Sequence, residues 1–420
     1  MNIILIVHEF FPNYYTGTAR VCLNLAEQLR KMGHKITIIT YEPSESNIFN
    51  YKSINNILWH EDIYKDIKII RIKYQNQNQN LNFEIFNDEY DETALNMIFN
   101  NIINDIDIIH ILHPLRMGNI IRFFISKQKY PIILTLTDAW LICPRVCLFK
   151  IDYSICNNFE IKNCIECGYK EIDIKKRIFD SKFLINSIDY MIFPSKLLET
   201  IFKKNKLIIN NYKIINHGLD YKYFKINLSK KFNIKNINLG YVGPILRNKG
   251  LHILIQTFKK IKNQNIYLKI YGETFDEYYM SLIKRLYGKD KRIKFYGKYN
   301  YNEISNIYSN IDIAIFPSTC YESYSLSLIE ALAHKVPVIA SNTIGASWEF
   351  IKNGQNGYIF ESGDVFDLYN KLVNIIENPK LIEEFKENII IPPRIEEEAF
   401  YYEILYKYCL SKKNDFNNNT

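Results

Sequence analysis

The sequence predicts an α/β protein built from two doubly wound parallel domains of Rossmann type that face each other across a cleft. Three observations predict it. Apolar runs of strand length alternate with amphipathic helical patterns from the first residues onward, the rhythm of βα units. The 420 residues suffice for two such domains, and a hydrophobic fraction of 47% with 32 Tyr and 26 Phe supplies a core for each. An internal echo, D-x-x-I-F-P-S, occurs at residues 189–195 and again at 312–318, late in each half.

Taken in order, residues 2–7 read as a fully buried strand that runs into His8 and Glu9 without a basic leader, so they do not read as a signal peptide. Cys22, Leu25, Ala26 and Leu29 then recur at helical spacing, and Gly33 is the expected left-handed stop before a strand over 35–40. Buried strands are expected at about 67–72, 107–112 and 132–136, with the Gln/Asn run 75–80 as a polar loop. The second half repeats the pattern at about 237–242, 266–271, 293–296, 311–316, 337–340 and 358–360. The expected boundary runs from Asn216-His217-Gly218 to about Asn236. It gives a first domain over 1–216 with a Cys-rich insertion at about 141–180, and a second over 217–390. A helix over about 391–410 follows Pro392-Pro393, and 411–420 are expected to fray.

Several classes are excluded. No stretch reaches the ~18 uninterrupted apolar residues of a membrane span, and eight Cys in so long a chain are too few for an extracellular disulfide framework. A cytoplasmic location is expected. The net charge of +8 suits an anionic partner.

Two stretches carry chemistry. In the first, a strand over 311–316 leads through a loop containing Glu322 into a helix containing Glu330, beyond the carboxyl end of a strand where doubly wound sheets bind ligands. Two carboxylates placed this way accept hydrogen bonds from vicinal hydroxyls of a sugar or ribose. Ser325 and Ser327 stand at the helix start, where free amides favour phosphate. In the second, a strand ends at Gly240-Tyr241-Val242-Gly243, and the loop after it presents Arg247 and Lys249 before a helix begins near Gly250. Fixed cations beside helix-end amides suit a diphosphate leaving group. The Walker spacing is absent.

These motifs resemble the family 4, or group 1, retaining glycosyltransferases, whose architecture is the two-Rossmann GT-B fold. The family's E-x7-E motif is matched by Glu322 and Glu330 and is followed by Ala331-Leu332-Ala333 and 337–341. Its glycine-to-Lys-Gly loop is matched by Gly243 and Lys249-Gly250, and its first loop by Gly17 through Gly33-His34. Asn216-His217-Gly218-Leu219-Asp220 is similar to the signature that opens the family's second domain, and Asn356-Gly357 to a late turn.

The resemblance implies that Glu330 holds the nucleotide ribose, and that Glu322 with the amides around Tyr324, Ser325 and Leu326 holds the donor sugar. Lys249, helped by Arg247, would neutralise the diphosphate that Gly17 and Gly243 let approach. It further implies a nucleotide-diphosphate sugar as donor, a glycan or lipid-linked glycan as acceptor, front-face transfer with retention, no catalytic metal, and a last helix that crosses back to the first domain. Nucleic acid drops out as a partner. The chain departs from the pattern at four places: Pro244 where an arginine often stands, Thr16 before Gly17 in place of a double glycine, Thr137 before Asp138 in place of histidine, and Lys335 where glycine is expected.

Five Cys crowd between Cys143 and Cys167, and Cys143, Cys156, Cys164 and Cys167 are the expected ligands of a structural zinc, with reduced thiols as the alternative. Residues 169–184 mix five basic residues with Ile172, Ile174, Ile178 and Phe179. They are expected either to sit on the anionic inner face of a membrane or to form a solvated helix. The rival readings of the whole chain are a sugar-nucleotide epimerase on the same fold and a catalytically silent partner subunit.

Overall fold

A computed structural model of the chain describes residues 1–42, 49–75, 82–87, 90–103, 105–157, 160–224, 236–274 and 276–418. The polar loop beyond Gln75 and most of the expected interdomain segment lie outside the described residues. The first domain is a nine-stranded sheet. In chain order its strands are β1 (Asn2–Val7), β2 (Lys35–Tyr41), β3 (Lys52–Ile54), β4 (Ile57–Tyr64), β5 (Ile67–Tyr74), β6 (Ile108–Ile111), β7 (Ile132–Thr135), β8 (Tyr190–Phe193) and β9 (Tyr212–Ile214). They lie side by side as β3-β4-β5-β2-β1-β6-β7-β8-β9. The pairs β3/β4 and β4/β5 are antiparallel, and the rest are parallel.

The parallel strands read as continuous apolar runs because both faces of the sheet are covered. In β2, Ile38 joins the core on one face and Ile39 the core on the other. Strand β4, next to the edge strand β3, was not legible in this way. It carries His60-Glu61-Asp62 with Glu61 exposed, since an edge hairpin keeps one side in water.

Six parallel strands form the second domain: β10 (Ile237–Val242), β11 (Ile266–Tyr271), β12 (Ile293–Gly297), β13 (Ile313–Phe316), β14 (Val338–Ser341) and β15 (Gly357–Phe360). Their order is β12-β11-β10-β13-β14-β15. Numbered from β10, this is the doubly wound order, which reverses between β10 and β13 and opens a crevice at their carboxyl ends.

The helix Gly17–Lys31 starts where the Thr16 hydroxyl accepts from the Ala19 N–H at 3.3 Å, and buries Cys22, Leu25, Ala26 and Leu29. Gly33 follows at φ +89°. The last helix runs Ile395–Asn418, past residue 410 and through most of the stretch expected to fray. Ala399, Tyr402, Leu405, Tyr406 and Cys409 pack into the first domain's core with Leu5 and Cys22. Tyr402 and Tyr406 hydroxyls hydrogen-bond Thr135 Oγ1 at 2.8 Å and His110 Nδ1 at 2.6 Å.

Lys335 sits at φ +59° in the turn after the helix Leu326–Ala333, the left-handed conformation that glycine takes without strain. Lys335→Gly is expected to raise stability by about 1 kcal/mol, measured as a higher thermal unfolding midpoint. An unchanged or lower midpoint would show the turn to be unstrained.

Candidate active site

The crevice at the β10/β13 switch brings several of the sequence-predicted residues together. Gly243, Lys249, Glu322 and Ser325 line one small cavity of about 30 Å³ with Pro244, Ser318 and Ser327. Lys249 Nζ lies 2.7 Å from Glu322 Oε2. Burial alone would lower the Lys249 pKa, but the Glu322 carboxylate outweighs it and holds the ammonium above its ordinary value. Ser318, directly after the echoed proline, donates from its hydroxyl to Glu322 Oε1. The Glu322 N–H donates to Thr343 O at 2.9 Å, which fixes the loop against the end of β14.

Gly250 closes the loop before its helix. Its φ is +72°, and a Cβ there would stand 1.7 Å from Pro317 O, so no other residue lets the Lys249 loop pack so closely on the Glu322 loop. Ser325 holds φ +87° just before the helix Leu326–Ala333, a strained non-glycine conformation at the helix start that faces Gly243. Tyr324 is buried, and its hydroxyl donates to His217 O at 3.1 Å.

Glu330 stands apart from that cavity. It is 3% exposed on the flank of its helix, accepts a hydrogen bond from Tyr301, and lies 3.4 Å from Arg20 Nη1. Burial pushes its carboxyl above the ordinary range against the pull of Arg20. The Arg20 guanidinium reaches across from the first domain and covers the Tyr301 ring at 3.4 Å. Gly17 begins the same helix, and a Cβ on it would meet no protein atom.

Arg247 does not join Lys249. Its guanidinium lies over the Tyr153 ring of the insertion at 4.4 Å, so the charge that Pro244 lacks is not replaced from there. His217 hydrogen-bonds Glu398 Oε1 at 2.9 Å, an architectural role at the domain junction.

Cys143, Cys156, Cys164 and Cys167 lie close enough to feel one another's charge, but among the described residues no three His, Cys, Asp or Glu side chains are arranged to hold a metal ion. Burial, with the neighbouring thiols adding to it, raises the Cys143 thiol to about 11 and the Cys164 thiol to about 12. The insertion is anchored by the buried Arg177, which donates to Phe83 O and Trp140 O and stacks on Trp140.

One residue at the cleft, His113, escaped sequence reasoning. At the carboxyl end of β6, His113 Nε2 lies 2.8 Å from Asp138 Oδ2, and its ring packs 4.2 Å from that of His8, itself paired with Glu9. Burial works to raise the Asp138 carboxyl and the His113 imidazole outweighs it, so Asp138 sits below the usual range. Burial, with His113 beside it, pulls His8 below its ordinary value. Position at a strand's carboxyl end was the signal that could have found His113. At Thr137, where histidine was expected, the hydroxyl donates to Leu112 O.

Fold and site together define a GT-B protein: two facing doubly wound domains with a carboxylate-and-lysine site at the second domain's switch point. Residues 224–390, most of the second domain, match the family model described as glycosyl transferases group 1. The capsular polysaccharide biosynthesis glycosyltransferase CapM of Staphylococcus aureus is 30% identical over 238 residues, 55% of this chain and 60% of CapM. A glycosyltransferase from Rickettsia africae superposes with a TM-score of 0.68 at 16% identity, covering 97% of this chain and 98% of its own. Anabaena HepE, solved in complex with UDP and glucose, superposes with a TM-score of 0.64 at 15% identity, over 95% and 94%.

Proposed function

We propose that the chain is a retaining glycosyltransferase that moves a sugar from a nucleotide-diphosphate sugar to a hydroxyl of a glycan or lipid-linked glycan in cell-surface polysaccharide synthesis. The Lys249–Glu322 pair at the strained helix start carries this reading. Each charge of the site is answered by a protein group: Glu322 beside the Lys249 ammonium, Arg20 beside the Glu330 carboxylate. A bound diphosphate takes over Lys249 and the helix-start amides, and ribose hydroxyls take over Glu330. As the glycosidic bond to the leaving phosphate breaks, Lys249 stabilises the growing negative charge, while the acceptor hydroxyl enters on the same face and gives its proton to that phosphate. UDP and glucose in HepE, and the capsular polysaccharide in CapM's name, support this donor and acceptor class.

For the acceptor, a cavity of about 330 Å³ opens between the domains on the other side of the Glu322 segment, with Tyr321, Trp348, Asn157, Asn342 and Lys204 among its walls. Aromatic faces and amides suit a saccharide. Release of nucleoside diphosphate from a panel of nucleotide sugars, with and without glycan acceptors, tests the reading. Turnover of no donor sinks it, and consumption of donor to an isomer without acceptor favours the epimerase.

Donor binding is expected to weaken as pH falls at a higher pH than an ordinary carboxylate would dictate, because Glu330 must be ionised to accept the ribose hydroxyls and its pKa is raised. Nucleoside diphosphate titrations across pH would read this, and Glu330→Gln should remove that inflection.

Among the described residues no helix is long and apolar enough to cross a membrane. The helix Glu171–Asn186 exposes Ile172, Phe179 and Phe183 beside Lys175 and Lys182, which supports peripheral contact with an anionic bilayer. Ile172→Glu with Phe179→Glu is expected to abolish sedimentation with vesicles of anionic phospholipid. Equal binding by this variant and the parent removes the membrane from the reading.

A further inference from the structure

Cys147 and Cys320 belong to different domains, yet their thiols lie close enough that each bears on the other's ionisation. Asn248 Nδ2 lies 3.8 Å from Cys147 Sγ and 3.6 Å from Cys320 Sγ. The Tyr321 N–H donates to Cys147 O at 3.2 Å, so the two backbones run side by side at this point. Backbones this close bring facing Cβ atoms into the range a disulfide spans. The pair sits at the catalytic loops themselves, because Cys320 precedes Glu322 by two residues and Asn248 adjoins Lys249.

The two thiols differ as an exchanging pair requires. The neighbouring Cys320 thiol holds the Cys147 thiol below its ordinary pKa, and the Lys249 ammonium adds to this against burial and the carboxylates of Asp138 and Glu322. Cys147 is also partly exposed, whereas Cys320 is 1% exposed. Cys147 is therefore the attacking sulfur and Cys320 the resolving one.

We propose that Cys147 and Cys320 are a modification site: a reversible disulfide between them staples the cleft shut beside Lys249 and Glu322. The Cys147 thiolate attacks one sulfur of a low-molecular-weight disulfide. That S–S bond breaks, a mixed disulfide forms on Cys147, and the first small thiolate leaves and takes up a proton. Cys320 then releases its proton and attacks the Cys147 sulfur, expelling the second small thiolate. Two protein thiols become one disulfide and the small disulfide becomes two thiols, with no other oxidant needed.

The cleft is bridged by Arg20 to Glu330 and by the Ser195 hydroxyl donating to Ser323 O at 2.6 Å. A donor enters only when the domains part, which the covalent link forbids. The loss of turnover rests on the transferase reading; the link itself does not.

The test treats the full-length chain with oxidised glutathione, alkylates the remaining thiols, and maps the digest by mass spectrometry. A Cys147–Cys320 linked peptide is expected. Turnover of donor by the parent should fall to background and return with dithiothreitol, while Cys147→Ser and Cys320→Ser stay active and insensitive. Linkage among Cys143, Cys156, Cys164 and Cys167 instead, or glutathione left on Cys147 without a linked peptide, overturns the proposal. So does a linked protein that turns over donor undiminished. If the reduced protein uses no donor, the transferase reading fails while the linked peptide still decides the staple.

Discussion

Glu322→Ala is expected to lower donor turnover by about 10²–10³-fold, the loss seen when one preorganised electrostatic group leaves an active site, with the fold intact. The carboxylate lies 2.7 Å from Lys249 Nζ and also accepts from the Ser318 hydroxyl, so its loss frees the lysine from its place and removes the acceptor that the proposed function assigns to the donor sugar. Glu322→Gln keeps the shape and loses the charge. It should retain part of the binding while turnover falls nearly as far. Lys249→Ala should fail in the same assay, because nothing else among the residues lining that cavity carries a fixed positive charge. Nucleoside diphosphate release, read beside an unchanged circular dichroism spectrum, makes the measurement. Turnover of Glu322→Ala within a few-fold of the parent would refute the assignment.

The second large effect falls on stability. Glu398, 2% exposed on the last helix, accepts from Gly218 N at 2.7 Å through Oε2 and meets His217 Nδ1 at 2.9 Å through Oε1. Glu398→Ala strands a buried backbone N–H and a buried imidazole, and leaves a void at the point where the chain passes from one domain to the other. The expected cost is about 3 kcal/mol. A thermal melt should show the first domain and its helix unfolding well below the parent's midpoint. Glu398→Gln, which can still accept from Gly218, should recover part of the loss. A melt unchanged by either variant would show the junction to be held by packing alone.

Much of the fold was legible because burial on both faces writes parallel strands as unbroken apolar runs. The strands over 237–242 and 266–271 were read to the residue. The hairpin formed by β3 and β4 was not, since half of it faces water and its polar residues look like loop. The same division runs through the site. Gly243, Lys249, Glu322 and Ser325 lie on loops that leave adjacent strands β10 and β13, so a correct strand order brings them together. Arg247 is two residues from Lys249 and was read with it, yet its long side chain takes the Tyr153 ring of the other domain, a partner no local pattern announces. The cysteine spacing gave no hint of the buried Arg177, which ties the insertion to Phe83 O and Trp140 O.

By itself the sequence determined the two-domain α/β class and the residues of the loops after β10 and β13 that line one cavity, because periodicity and motif spacing act within one element or between neighbours. Only the tertiary structure decided that Arg20 caps Glu330, that His113 stands with Asp138 and His8, that Glu398 holds His217 from 181 residues away, and that Cys147 meets Cys320. These contacts join separate elements, three of them across the cleft or the domain junction. Their energies depend on how those elements pack, and no window of sequence contains both partners.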